Sequence, residues 1–396
     1  MPQVSINDRA FDVIIYGASG FTGRLVAEYL NAEYGGSDLK WAMAGRSTDK
    51  LKTVRREMGI SSDIPVIAAN ATDTASLVSM AKQTKVVITT VGPYQSYGEP
   101  LVKACAETGT DYVDLSGEPL WMKDMISKYD VAAKKSGARI VHSCGFDSIP
   151  FDLGVYYTQA ESKAAFGAPC REIRGRVRKM KGTFSGGTAA SFKATMVRIA
   201  NDPTQLDALK DPFSLSGSFQ GPGQPFGHKV KYEKDLKSWV APFIMASINT
   251  KNIHRSNALM GHAYGEDFLY SEMLLTGDGE QGEAAANHVA GDNSMAKNPP
   301  KPGEGPSKAA REAGLYDVMY VGETAAGERI ITSVSGDKDP GYGSTCKMIA
   351  EAAICLARDI SRDQTAGGVF TPAPAMGERL IERLMEHAGL NFKLET

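Results

Sequence analysis

Three glycines, Gly17, Gly20 and Gly23, stand as G-x-x-G-x-x-G within "DVIIYGASGFTGRLVAEYL", Asp12 to Leu30. Glycines spaced in this way can cradle a pyrophosphate. Gly17 would allow a tight turn, Gly20 would let phosphate approach the backbone, and Gly23 would let a helix pack close to its sheet. Ser19, Phe21 and Thr22 fill the gaps and belong to the same candidate site, with phosphates resting on open N–H groups at a helix N-terminus. A βα turn without a ligand is the plainer reading, but the flanks favour a cradle. Val13, Ile14 and Ile15 are β-branched and continuous, as in a strand buried on both faces, and Leu25, Val26, Tyr29 and Leu30 recur at helical spacing.

The end of the next strand speaks to the choice of dinucleotide. A site that prefers NAD usually carries an acid there, about 20 residues past the glycines, to bond the ribose 2′-OH. Here "AMAGRSTDK" places Arg46 and Ser47 instead. A guanidinium pairs with a 2′-phosphate that a carboxylate would repel, so the expected cofactor is NADP (NADPH). The alternative is a solvated arginine at a helix start.

Further on, "TTVGPYQSYGEP" ends a strand, and ligands of open α/β sheets bind beyond the carboxyl ends of strands. Val91, Gly92 and Pro93 are therefore expected on the nicotinamide side. Tyr94 and Tyr97 would enter the same crevice and are the candidate catalytic acids, provided that nearby positive charge lowers their pKa. The next two strands end in "DLSGE" and "HSCGFDSIP", which brings Asp114, Ser116, Glu118, His142, Cys144 and Asp147 to one edge as substrate-side candidates. Each also has a plain reading. Asp114 and Asp147 could be helix caps, His142 a core histidine and Cys144 a small buried apolar residue. Together they mark a site better than any does alone.

The elements that must position these groups alternate at the pace of a doubly wound parallel sheet. After the first helix come strands at "LKWAMAG", "PVIAAN", "KVVITTVGPY", "DYVDL" and "ARIVHSCGF". Helices separate them, one opened by Asp73 and one running from about Pro119 to Ser136. The fold expected is α/β: a Rossmann-type sheet over residues 1–150, an α+β substrate or dimerisation domain over 151–340, and C-terminal helices over 341–396 that return to the first domain. In the second part, six basic residues lie between Arg171 and Lys181. They read as a strand that meets an acidic partner, or as an exposed strand guarded by its charge. "FSGGTAAS" opens a helix, Thr276 to Gly314 reads as a long loop or lid with helix near Ala284 to Val289, and a β-hairpin turns near Ala326 and Gly327. Helices follow at Ser344 to Arg358 and Pro374 to His387.

Composition narrows the class. The chain has 396 residues and a formal net charge of −2, which argues against a general nucleic-acid binder. Its five scattered cysteines show no zinc spacing, so no metal is expected, and they fit a reducing cytoplasm. The N-terminal residues lack the apolar core of a signal peptide. The longest apolar run, Trp239 to Ile248, is shorter than the roughly 20 residues that span a bilayer. A buried strand or helix is expected there, with peripheral membrane contact as the alternative.

Taken together, "GASGFTG", "AGRS", "TTVGPY", "YGEPLVKACAETGTDYVDLSGE", "CGFDSIPFDLG", "SGGTAAS", "PFIMASINTKNIHRSNAL", "PGYGSTCKMIAEAA" and "GGVFTPAPAMGERLIERL" resemble the saccharopine dehydrogenase-like oxidoreductases. Nearly the whole chain is similar to the trans-acting enoyl reductase branch. The resemblance implies a Rossmann domain, an inserted α+β domain, NADP as cofactor, and reduction of a carbon–carbon double bond on a small-molecule or carrier-bound acyl substrate in lipid or polyketide-like metabolism. A homodimer is an assembly that the sequence allows. Saccharopine is not the expected substrate, because no pair of pocket arginines stands out. Two other functions stay open, a saccharopine-type amino-acid or imine dehydrogenase and a non-catalytic NADP-binding protein.

Overall fold

A computed structural model describes residues 6–182, 186–225, 227–292 and 304–396 of the chain. The first half lays down β1 (Phe11–Tyr16), α1 (Phe21–Tyr34), β2 (Trp41–Gly45), α2 (Thr48–Glu57), β3 (Val66–Ala68), α3 (Thr74–Ala81) and β4 (Thr84–Thr89). Then come α4 (Tyr94–Tyr97), α5 (Glu99–Thr108), β5 (Asp111–Val113), α6 (Pro119–Ser136), β6 (Arg139–Val141) and α7 (Ile149–Phe166). Strand β1 is buried from Asp12 to Tyr16 and β2 throughout, as continuous apolar runs require when helices cover both faces. Local chemistry sets the helix ends. The Asp73 carboxylate accepts from the backbone N–H groups of Ala75 and Ser76, and α6 starts on Pro119 and stops at a left-handed Gly137.

A second sheet follows from β7 (Cys170–Lys181), α8 (Gly186–Asn201), α9 (Gln205–Lys210), β8 (Lys231–Glu233), β9 (Ser238–Pro242), α10 (Ala246–Leu259), β10 (Leu269–Gly277), α11 (Gly279–Gly291), β11 (Leu315–Thr324) and β12 (Arg329–Gly336). The last strands are β13 (Gly368–Phe370) and β14 (Leu390–Leu394). The first sheet has the order β13-β6-β5-β4-β1-β2-β3 and is parallel throughout. Its strand order reverses between β1 and β4, the switch point at which such sheets bind ligands. The second sheet, β14-β12-β11-β7-β10-β9-β8, is mixed, with β7 and β10 parallel and the other pairs antiparallel.

The C-terminal segment returns to the first sheet and also serves the second. Helix Thr345–Ile354 packs on α1, where Glu351 accepts hydrogen bonds from Tyr29 and Tyr34 and pairs with Arg383. Strand β13 extends the first sheet and β14 extends the second. Strand β13 is not legible beforehand, because its three residues, set between Gly367 and Pro372, show no period. Helix α10 is unusual in being polar yet buried on nearly all sides. It rivets the sheets together: Asn249 donates to Glu272, Asn252 to Ser148, Ser256 to Asp152, and Arg255 to the carbonyls of Leu215 and Val369.

The basic stretch forms the expected strand, but not an exposed one. Strand β7 lies in the middle of the second sheet, and its arginines are answered from within the chain. Arg171 pairs with Asp267, Arg174 with Glu233 and Asp235, and Arg178 with Asp317 and Glu395. Arg176 is fully buried on Glu233. Arg174, Arg176 and Arg178 thus balance acids brought to them by the fold, while Arg171, Lys179 and Lys181 stay exposed. The hairpin of β11 and β12 and the helix in the Thr276–Gly314 stretch are present, the latter as the whole of α11; residues 293–303 of that stretch lie outside the described residues.

Candidate functional site

The turn between β1 and α1 is built by its glycines. Gly17 has φ +92°, and a Cβ there would lie 2.7 Å from Val91 Cγ2. A Cβ on Gly23 would lie 2.2 Å from the Gly17 carbonyl oxygen. A Cβ on Gly20 would meet only that oxygen, at 3.3 Å. Gly17 N–H and Ala18 N–H donate to Ala44 O, which fixes the turn to β2. Helix α1 then begins after Gly20 with no side-chain cap, so the N–H groups of its first turn face the crevice open. Ser19 is held by its carbonyl, which accepts from Arg24 Nε. Phe21 stacks edge-on against Tyr342 at 4.7 Å, and Thr22 lines the cavity described below. Arg46 is exposed at the end of β2, and Ser47 caps α2 by accepting from Lys50 N–H. Val91, Gly92 and Pro93 follow the end of β4. All of these residues lie along one edge, the carboxyl ends of parallel strands.

Between this edge and the second sheet opens a cavity of about 280 Å³. Phe146, Met180, Phe192, Met196, Phe243 and Ile248 give it an apolar wall. Tyr94 and Asp147 are the ionisable side chains that line it among the described residues.

The candidates beside it divide by what already occupies them. The Asp114 carboxylate accepts from Tyr112 OH, Ser116 N–H and Ser143 N–H, and its Oδ2 lies 2.7 Å from His142 Nδ1. His142 is buried beside the rings of Trp121 and Tyr112. Glu118 accepts from Tyr94 N–H, Gln95 N–H and Ser191 OH, which ties α4 to α8; burial pushes its pKa up. Cys144 is buried, and burial raises its thiol well above the usual range. These four brace the site from behind its wall. Asp147 lines the cavity and makes no hydrogen bond or ion pair among the described residues.

The tyrosines do not have the setting expected of them. Tyr94 is buried, donating to Thr89 O and accepting from Leu115 N–H. Burial and then the Asp114 charge raise its pKa far above the ordinary value, the reverse of what a tyrosine acid needs. Tyr97 is 48% exposed and is not among the residues lining the cavity.

The NADP-binding domain model of saccharopine dehydrogenases matches residues 13–141, which hold the glycine turn and both following strand ends. Trans-acting enoyl reductases of Mycobacterium tuberculosis and Mycobacterium ulcerans are 36% and 34% identical over 95% and 96% of this chain and 96% and 97% of theirs. A further Mycobacterium tuberculosis protein that carries the same family name is 40% identical, with 95% and 96% of the two chains aligned. The chain belongs to the trans-acting enoyl reductase family. Among solved structures, apo saccharopine dehydrogenase (L-Glu forming) from Saccharomyces cerevisiae superposes with a TM-score of 0.53 over 98% of this chain and 100% of that one, at 12% identity, a likeness of fold.

In this family member the cavity wall was only partly legible. The apolar run ending at Ile248 was visible, and Phe243, Ile244, Met245 and Ile248 do line the cavity. Met180, Phe192 and Met196 gave no signal, because they come from two elements whose facing depends on how the sheets pack. The buried acids near α10 were also missed. Burial pushes Glu272 up to about 8 and Asp152 up to about 7. Both therefore hold protons in the folded chain that the unfolded chain has released. Their contribution to stability is full below the unfolded pKa, near 4, and is lost as pH rises through 7 and then 8. Each such proton is worth about 1.4 kcal/mol per pH unit. Melting temperature should therefore fall between pH 6.5 and 8. Glu272→Gln, which imitates the protonated acid, should flatten the decline in a pH series of thermal melts. An unchanged slope in that variant would show that Glu272 is ionised.

Proposed function

We propose that this chain is an NADPH-dependent reductase of an α,β-unsaturated acyl thioester, presented on a carrier, and that it works in the cytoplasm. The observation that carries the reading is the apolar cavity, which reaches Thr22 in the first turn of α1 and Thr90 and Gly92 after β4. Its wall suits an acyl chain. A dicarboxylic amino acid would need paired cations, and among the described residues no Arg, Lys or His lines it. That difference favours the enoyl reading over the saccharopine-type one.

Bound NADPH supplies a hydride to an activated alkene carbon. The chain's own part starts with the uncapped N–H groups of α1, which would hold the pyrophosphate, while Gly20 leaves room for it. Arg46 and Ser47 would meet the 2′-phosphate. Val91, Gly92 and Pro93 would flank the nicotinamide, and the apolar wall would exclude water from the reacting carbons.

Arg46→Ala should weaken NADPH by about 1.5–3 kcal/mol, the worth of a charge-assisted hydrogen bond, and leave NADH nearly unchanged. Calorimetry with both cofactors measures this, and equal loss for both would remove Arg46 from the site. The reaction class is tested by NADPH oxidation with a trans-2-enoyl thioester against a 2-oxo acid plus an amine. Turnover of the thioester alone is expected. Turnover of the second pair alone would favour a saccharopine-type enzyme.

A further inference from the structure

Reduction of an alkene needs a proton as well as a hydride, and the family resemblance marks no residue for it. Buried carboxyls surround or underlie the cavity, and they are committed. Asp114 is saturated by four partners, Glu118 by three, and Glu272 by Asn249 Nδ2 and Tyr270 OH. Asp147 differs: half-buried, it stands between the first-sheet strand β6 and helix α7 and lines the cavity, with no partner among the described residues. Tyr94, the other ionisable group in the wall, spends its hydroxyl on Thr89 O and Leu115 N–H. The remaining polar wall groups are hydroxyls and amides, too weakly acidic to give up a proton at neutral pH.

We infer that Asp147 is the catalytic acid, delivering the proton to the substrate carbon next to the thioester. This rests on the enoyl reading above. In the step, the alkene would take a hydride, supplied by bound NADPH, at its β-carbon as its π bond breaks. The electron pair passes to the α-carbon and thioester oxygen. The Asp147 O–H bond then breaks as a C–H bond forms at the α-carbon. Bound NADPH would supply the two electrons of the hydride, and the Asp147 carboxylate would regain a proton from water.

The surroundings suit the role. Burial pushes Asp147 up to about 6, near a working pH, where an acid is both available and strong enough. The titratable group nearest in charge is Glu272 on β10, which feels Asp147 and is held by Asn249 of α10, Tyr270 of its own strand and the charge of Arg176 on β7. Glu272 titrates later, near 8, so it stays neutral while Asp147 works. Helix α10 and the Phe243–Met245 segment present Ile248, Phe243 and Met245 to the cavity, none of them charged.

The test is Asp147→Asn, with Asp147→Glu as its partner. Asn keeps the shape, breaks no recorded bond and imitates the protonated acid, so the melting temperature should not fall below wild type and should exceed it above pH 6, while the NADPH dissociation constant should match wild type. Turnover of a trans-2-enoyl thioester should fall about a hundredfold or more. The decline of wild-type kcat/KM above pH 6 should vanish in the Asn variant and return, with part of the activity, in the Glu variant. An independent readout is infrared difference spectroscopy of the protein without cofactor. A protonated carboxyl titrating near pH 6 should be present in wild type and absent in Asp147→Asn. If wild type reduces the thioester and the Asn variant does so equally well, Asp147 is not the acid and the enoyl reading survives. If wild type reduces no enoyl thioester at all, the reading and this assignment fall together.

Discussion

Gly20→Val is expected to weaken NADPH at least about a hundredfold while shifting the melting temperature by only a few degrees. Gly20 precedes α1 with φ −81° and ψ 169°, an extended conformation that valine favours. Its new Cβ would meet only the Gly17 carbonyl oxygen, at 3.3 Å, so the chain can keep its course. What the isopropyl group occupies is the space through which a pyrophosphate would approach the open N–H groups. Losing two charge-assisted hydrogen bonds, at about 1.5–3 kcal/mol each, more than accounts for the hundredfold. Gly23→Ala gives the contrast. Its Cβ would lie 2.2 Å from the Gly17 oxygen, so the turn itself must move. That variant should lose about 1–3 kcal/mol of stability as well as binding. Titration calorimetry and thermal melts of the two variants separate these effects. Normal NADPH binding by Gly20→Val would mean that the phosphates lie elsewhere.

Arg176→Ala should be the most destabilising single change in the second sheet, by about 3–5 kcal/mol. The guanidinium is fully buried and donates to both oxygens of Glu233, to the carbonyls of Gly175 and Ser271, and to Ser271 Oγ. Its charge holds Glu233 down near 2 despite burial. Removing it leaves a carboxylate in the sheet with only Lys231 and Arg174 nearby. Strand β7 ends at Met180 and Lys181, and Met180 belongs to the cavity wall. The damage should therefore reach substrate binding while sparing NADPH affinity in whatever fraction stays folded. Denaturant melts measure the first effect. A loss under 1 kcal/mol would show that water reaches Glu233.

The sequence announced the first sheet because each of its signals is local. A continuous β-branched run, glycines at fixed offsets and Asp73 at a helix start each need only a few neighbouring residues. The cofactor-side residues are legible for the same reason, since they end consecutive parallel strands. The substrate side is not. "DLSGE" and "HSCGFDSIP" show which acids sit at one edge, but not which of them has its hydrogen bonds filled. Asp114 and Asp147 look alike in the sequence and differ only in the partners that folding brings. The arginines of β7 misled because strand periodicity cannot show that Glu233, Asp235, Asp317 and Glu395 come to meet them. Tyr94 misled in the same way, since the charges that folding places near it are Asp114 and Glu118.

If the chain reduces a carbon–carbon double bond held in the apolar cavity, the path of the hydride will show it. Wild-type protein would be given NADPH carrying deuterium at the transferred position of C4, with a trans-2-enoyl thioester, and the product examined by mass spectrometry and NMR. A saturated thioester with one deuterium, on the β-carbon, is expected. A product without deuterium, or label transferred only to the carbon of an added imine, would contradict it.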